Sequence, residues 1–349
     1  MIQSGDMINN RYHVIKELGS GGFAKTFEVK DKAENDHKVI KILQDNAYSH
    51  PKVRELFARE YDILKRLDHP GIPGVKIDGY VTITYNQNSQ VFTIPGLVME
   101  KIDGENLQQW LKINTKIINT QQAIQWLKEL IDILDYVHNH QYVHRDIKPS
   151  NIMLKPNGKL VLIDFGIVKE LSQQYEKQNV PATKIGTPGY AAPEQENATL
   201  PTWQTWLANQ NHQFDHRADF FCLGRTFVHL LTGIEPTILT IDSRNGKLLW
   251  RDKATGIDED FKDLIDWLME YKPDKRPQNT QEIKDLLEPK PAIIFPVPMV
   301  FFSFALNFVL LALLAMGVTL TIGWKVLFVV ILCVIGGFFV KPLMKYFQD

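Results

Sequence analysis

The sequence predicts an α+β fold in two lobes, a strand-rich lobe followed by a mainly helical one, with a pair of apolar helices after them. Three observations predict it. Residues 11 to 45 and 79 to 100 fall into short alternating apolar stretches, the period of strands. From residue 105 onward apolar positions recur at helical spacing, most clearly from Ile124 to Val137. Pro291 to Trp324 is a run of 34 residues without a charge, and after Lys325 fifteen more apolar or small residues reach Val340.

A length of 349 residues suffices for one large domain or two ordinary ones. A net charge of -1 gives no sign of a nucleic-acid partner. The two cysteines, Cys222 and Cys333, lie far apart in apolar runs, so neither a disulfide framework nor a zinc site is expected. The first twelve residues hold no apolar stretch, so no signal peptide is expected and the bulk of the chain reads as cytosolic.

Within the first lobe, Glu17 to Phe27 breaks the strand pattern with three glycines in four positions, Gly19, Gly21 and Gly22. Such a turn lets backbone amides approach an anion closely, although alone it equally fits a flexible hairpin. The strand His37 to Leu43 places Lys41 between Ile40 and Ile42, with Lys38 on the opposite face. Pro51 then opens a helix whose apolar face carries Val53, Leu56, Phe57, Ile63, Leu64 and Leu67. The same rhythm lands on Glu60. A carboxylate facing a core needs a cation, and Lys41 is the nearest candidate. Two further strands, Gly79 to Tyr85 and Gln90 to Glu100, are joined by the polar turn Asn86 to Ser89. The stretch Leu97 to Gly104 passes from apolar to polar, as a strand leaving one lobe for another would.

The second lobe opens with helical periodicity that leads from Gln121 into Tyr142-Val-His-Arg-Asp-Ile-Lys-Pro-Ser-Asn151. The buried-strand pattern Lys159 to Ile163 follows, and then Asp164-Phe-Gly166. Two acids, an amide, a lysine and an arginine thus gather at the edge of apolar elements, where unpaired charge is costly. Their expected partners are each other, a metal ion and a phosphate. A polar loop (172 to 184) and Gly186-Thr-Pro-Gly-Tyr-Ala-Ala-Pro-Glu194 come next. Asp219 to Leu231 is apolar all round, as the central helix of a lobe is.

The C-terminal run exceeds the ~20 apolar residues that cross a bilayer, so two membrane helices are expected, at about 296–316 and 321–340. A Pro-rich linker (289–294) precedes them and a short tail (341–349) follows. Lys290 on one side and Lys341 and Lys345 on the other put both ends in the cytoplasm. The expected location is the inner membrane, crossed more than once, with a lipid bilayer as partner and the main domain facing the cytoplasm.

Taken in order, these motifs make residues 11–288 resemble the eukaryotic-type (Hanks-type) serine/threonine protein kinases of bacteria, with a Gly-Gly-Phe-x-Lys-Thr loop of cyanobacterial character. The motifs are the loop at 19–24, Lys41, Glu60, His144-Arg-Asp146 with Asn151, Asp164-Phe-Gly166 and Ala192-Pro-Glu194. Asp219, Leu223-Gly224 and Arg276 match as well. The resemblance implies a strand-rich lobe over about 11–101, a helical lobe over about 105–288, and transfer of phosphate from ATP to protein Ser or Thr. It implies Mg²⁺ on Asp164 and Asn151, oxygen donors of the kind Mg²⁺ prefers. Lys41, fixed by Glu60, would hold the α and β phosphates, under the backbone of Gly19, Ser20, Gly21, Gly22, Phe23, Ala24 and Lys25. Leu18, Thr26, Val39, Met99 and Met153 would enclose the adenine, and the backbone of Glu100 and Ile102 would hydrogen-bond it. Asp146 would take the acceptor's proton, Lys148 would touch the transferring phosphate, and Thr187 would face the substrate groove.

Arg145 implies control by activation-loop phosphorylation, with Thr183 the first choice of site and Ser172 the second. The resemblance also leaves room for a homodimer. Departures from the family pattern are Ala24 for a third glycine, Thr26 for a usual valine, Val39 for a usual alanine, and extra residues around 197–214. That insertion reads either as a docking element or as surface elaboration. The rival function is a membrane-tethered scaffold that keeps the fold without the transfer. Such proteins commonly lack the lysine, the catalytic Asp or the metal Asp, and this chain has all three.

Overall fold

Strands come first. In the computed structural model β1 (Met7–Ile8), β2 (Tyr12–Ser20), β3 (Ala24–Asp31), β4 (Asp36–Leu43), β5 (Tyr80–Gln87) and β6 (Gln90–Glu100) form one antiparallel sheet in the order β1-β2-β3-β4-β6-β5. The structure describes residues 2–288 except 22, 50, 88–89, 114–116, 166–186, 197–214, 243 and 245. Gly22, Gly166, Ser172, Thr183, the insertion at 197–214, the linker, the two expected membrane helices and the tail all lie outside the described residues. Among the described residues no helix is long and apolar enough to cross a membrane.

Alternation gives this sheet two faces. Phe27 and Val29 of β3, Ile40 and Ile42 of β4, and Val98 of β6 are buried together on one face. The other face carries Lys41 and Leu97, which are paired in register, together with Leu43. Two short helices follow β4, α1 (Asp45–Tyr48) and α2 (Pro51–Leu64). From α2, Val53, Leu56 and Phe57 close over Leu43 and Leu97, and Glu60 is buried in the same stripe. The helix stops at Leu64, so Leu67 is buried from the turn after it. Asn86 and Gln87, expected in a turn, instead extend β5, opposite Val91 and Gln90.

The second lobe is built on helices. A small sheet of β7 (Glu105–Asn106), β8 (Ile152–Leu154) and β9 (Leu160–Leu162) lies beside α3 (Leu107–Ile113) and α4 (Thr120–Asn139). Asn119 caps α4, its side chain accepting from the Gln122 N–H, which satisfies one of the orphan donors of a helix start. Then come α5 (Pro193–Glu196), α6 (Arg217–Thr232), α7 (Glu259–Leu268) and α8 (Thr280–Leu287). Every residue of α6 from Ala218 to Leu231 is buried, which is what an all-round apolar helix requires. Gly233 ends it in the left-handed region, φ 69°, and donates its N–H to the His229 carbonyl. Gly104, at the passage between the lobes, has φ 129°, and a Cβ there would stand 2.0 Å from the Leu154 carbonyl oxygen. Only glycine fits that crossing.

Candidate active site

The cleft between the lobes is roofed by the sheet face that carries Lys41. At its mouth, the turn between β2 and β3 is tied down by Gln44: its side-chain amide donates to the Gly21 carbonyl at 2.6 Å, and its N–H donates to the Phe23 carbonyl at 2.8 Å. The Gly21 N–H in turn donates to the Ala24 carbonyl. A Cβ on Gly19 would meet nothing within 4 Å, so the space in front of the turn is open.

Behind it, Lys41 Nζ donates to Glu60 Oε1 at 2.7 Å and to Asp164 Oδ1 at 2.5 Å. Glu60 is 1% exposed and its Oε2 is buried without a hydrogen-bond partner among the described residues. Burial alone would lower the Lys41 pKa, but the carboxylates of Asp164 and Glu60 outweigh it and hold the ammonium firmly protonated. The same burial pushes the Glu60 carboxyl upward, against the pull of Lys41. Asp164 remains 51% exposed while it accepts from the Lys41 ammonium.

Below, the segment from Tyr142 to Asn151 brings four predicted residues together. Asp146 is 4% exposed; its Oδ1 accepts from Thr187 Oγ1 at 2.9 Å, and Lys148 Nζ lies 3.0 Å from its Oδ2. Lys148 Nζ also donates to Thr187 Oγ1 at 2.7 Å. From the other side Asn151 Nδ2 donates to the Asp146 carbonyl and to Asp146 Oδ2, at 2.9 and 2.8 Å. That orientation directs the Asn151 carbonyl oxygen away from Asp146.

The loop is held from beneath by α6. Asp219 Oδ1 accepts from the Arg145 N–H, and Oδ2 accepts from the His144 N–H and faces His138 Nε2, at 2.7 to 2.9 Å. Burial would raise the Asp219 carboxyl, but hydrogen bonding from His138 and the neighbouring histidines and amide outweigh it and hold it below the usual carboxylate range. Thr226 Oγ1 donates to the Ile147 carbonyl at 3.2 Å. His144 packs against Phe165, ring centroids 4.7 Å apart and tilted by 49°, and its burial lowers its pKa. These supports leave Arg145 at φ 67° and Asp164 at φ 64°, left-handed conformations that a side chain ordinarily avoids. Further out, Arg276, fully buried, makes a bidentate pair with Glu194 at 2.6 and 2.8 Å.

Not every predicted nucleotide residue points into the cleft in this arrangement. The Lys25 ammonium pairs with Glu17 at 3.1 Å. Leu18 is exposed at the rim, whereas Met99 packs on the main core beneath the roof. Val39 stands opposite Met99, and Thr26 opposite Lys41 on the cleft face. The Glu100 N–H is taken by the Gly74 carbonyl, and the Ile102 N–H makes no backbone bond among the described residues. Gln44, His138 and Thr226 were not legible as site residues. The signals available were slight: a Gln just past a buried strand, and polar residues inside apolar helices.

The protein kinase domain model matches residues 12–287. Serine/threonine-protein kinase PknA of Nostoc is 32% identical over 81% of this chain and 48% of its own length. Serine/threonine-protein kinase C of Synechocystis is 33% identical over 79% of this chain and 49% of its own length. The chain therefore spans about half the length of the curated relatives it matches. Among solved structures, the apo form of PpkA-294 has a TM-score of 0.62 at 21% identity, covering 82% of this chain and 99% of that one. The PknI kinase domain of Mycobacterium tuberculosis has a TM-score of 0.57 at 20% identity, covering 82% and 98%. At that identity the likeness is one of fold: a strand-rich lobe on a helical lobe.

Proposed function

The chain belongs to the protein kinase family, and from that premise we propose that it is a membrane-anchored serine/threonine protein kinase that moves the γ-phosphate of ATP to protein hydroxyls. The observation that carries this reading is the triangle of Asp146, Lys148 and Thr187, with Lys41, Glu60 and Asp164 facing it across the cleft.

Phosphoryl transfer needs positioning and charge neutralisation more than covalent catalysis. Asp146, its Oδ2 engaged by Asn151 and Lys148, keeps Oδ1 toward Thr187, the side from which an acceptor hydroxyl would come. There it orients the hydroxyl and receives its proton. Lys148, against Asp146 Oδ2 and donating to Thr187 Oγ1, supplies a cation beside that position, placed to meet the charge on the moving phosphate. Lys41, kept protonated by two carboxylates, is a fixed cation for the non-transferring phosphates.

The donor set fits a magnesium ion. Asp164 is half-exposed, and Asn151 Oδ1, which faces away from Asp146 and among the described residues accepts only a long bond from Ser150 Oγ at 3.4 Å, is a second oxygen donor, so both offer hard oxygens. When bound with the nucleotide, Mg²⁺ neutralises phosphate charge and aligns the phosphates. Lys41 at present holds Asp164, and yields part of that carboxylate on nucleotide entry.

Thr183 is the proposed site of autophosphorylation, with Arg145 its partner. The anchor is the pair of apolar segments at 296–316 and 321–340, supported by the charge-free run and by the lysines that flank it. It holds the enzyme at the cytoplasmic face of the inner membrane, where two copies would meet readily and where protein substrates are those near the bilayer. The test is direct. The full chain with Mg²⁺-ATP and a generic acceptor protein should yield phosphoserine or phosphothreonine. A chain that binds nucleotide and yields neither would leave the scaffold reading in its place.

A further inference from the structure

Arg145 is a non-glycine residue held in the left-handed region immediately before Asp146, a conformation that persists only where its surroundings impose it. Its N–H is fixed by the buried Asp219 on α6. Its carbonyl is fixed from a different direction. Gln195, on α5, donates from Nε2 to the Arg145 carbonyl at 3.3 Å. The same amide accepts at Oε1 from the Ala192 N–H at 2.9 Å and from the Cys222 thiol at 3.5 Å, while the Gln195 N–H returns to the Ala192 carbonyl at 2.8 Å.

The two ends of the strained peptide are therefore held by unlike parts of the chain. Asp219 and Thr226 belong to the buried central helix, whereas Gln195 closes the segment that runs from Thr187 through Tyr190 to Glu194. We propose that Gln195 is a positioning residue, through which the placement of the 187–194 segment sets the orientation of Asp146. When that segment is seated, Ala192 orients the Gln195 amide and the amide fixes the Arg145 carbonyl. Asp146 Oδ1 then lies in line with Thr187 Oγ1. When the segment moves, the Arg145 carbonyl loses its bond from Gln195 and the base loses its aim, with the fold of α6 and the roof of the nucleotide cleft unaffected. This rests on the kinase reading and deepens it.

The test uses the full chain and two substitutions. Gln195→Glu keeps the size and the acceptor oxygen, but sets a carboxylate against the Arg145 carbonyl; Gln195→Met removes both hydrogen-bonding functions at similar volume. Both should lower kcat by roughly tenfold to a hundredfold, the scale of a small misplacement of a catalytic group. The KM for ATP and the melting temperature should stay at the values of the unaltered chain. Unchanged kcat in Gln195→Glu would overturn the inference and leave the kinase reading intact. A parallel loss of kcat and melting temperature in both variants would overturn it too, since the residue would then be merely structural. Absence of transfer by the unaltered chain is the separate outcome that defeats the kinase reading, and the inference with it.

Discussion

Thr187 Oγ1 donates to Asp146 Oδ1 at 2.9 Å, joining residues 41 apart in sequence. The bond has a direction: Asp146 accepts, and Lys148 donates to the same hydroxyl from the other side. A hydroxyl of the chain thus already occupies the kind of position an acceptor hydroxyl would approach. The carboxylate is oriented before any substrate arrives.

Removing the roof cation separates stability from chemistry. Lys41→Met strands Glu60, which is buried and has one oxygen already unpartnered, so unfolding free energy should fall by about 3 kcal/mol. Adding Glu60→Leu should recover most of that loss without restoring transfer. Denaturant titration of the single and double variants checks this, and a double variant no more stable than the single one would contradict it.

The buried histidines set an acid limit on stability. Burial lowers the pKa values of His144 and His229. In the unfolded chain each would take up a proton near 6.5, while the folded chain resists until a lower pH. Their contribution is therefore fully present above about 6.5 and is lost as pH falls from there through the folded values, by up to about 1.4 kcal/mol per pH unit for each group. His144→Gln should flatten the pH dependence of unfolding below about 6.5. An unchanged slope would contradict the account of His144.

Arg276 is fully buried, with Glu194 as its ionic partner and the carbonyls of Arg217, Glu270 and Tyr271 around it. Arg276→Met should destabilise by about 3–5 kcal/mol, the cost of leaving buried charge and carbonyls without a donor. Thermal unfolding reads this directly, and a loss under 1 kcal/mol would be inconsistent with it.

For the C-terminal segment, the proposed pair of crossings would return the chain to its starting side, so a reporter fused after Asp349 should read as cytoplasmic. A periplasmic signal would leave a single crossing.

Much of this fold was legible because periodicity and burial coincide. The α2 stripe that placed Glu60 beside Val53, Leu56 and Phe57 is buried as a unit, and the Glu60 carboxylate meets the cation the pattern required, Lys41. The all-apolar stretch from Asp219 is a buried helix because a helix apolar on every side has nowhere else to go. What was not legible depends on contacts distant in sequence. Nothing local marks Gln195 as a partner of Arg145, 50 residues earlier, or Thr226 as a partner of Ile147. The ion pair of Lys25 with Glu17 was equally hidden, since the two residues are eight apart across a turn.

The central claim is that Asp146 is the base of a phosphotransferase. The measurement that tests it most directly compares the full chain with Asp146→Asn, scoring Mg²⁺-ATP affinity and phosphate incorporation into an acceptor protein side by side. The isosteric amide keeps the cleft, so ATP affinity should stay within about twofold while the transfer rate falls by 10²- to 10⁴-fold, the usual contribution of a positioned base. Undiminished phosphate incorporation by the Asp146→Asn chain would contradict the assignment.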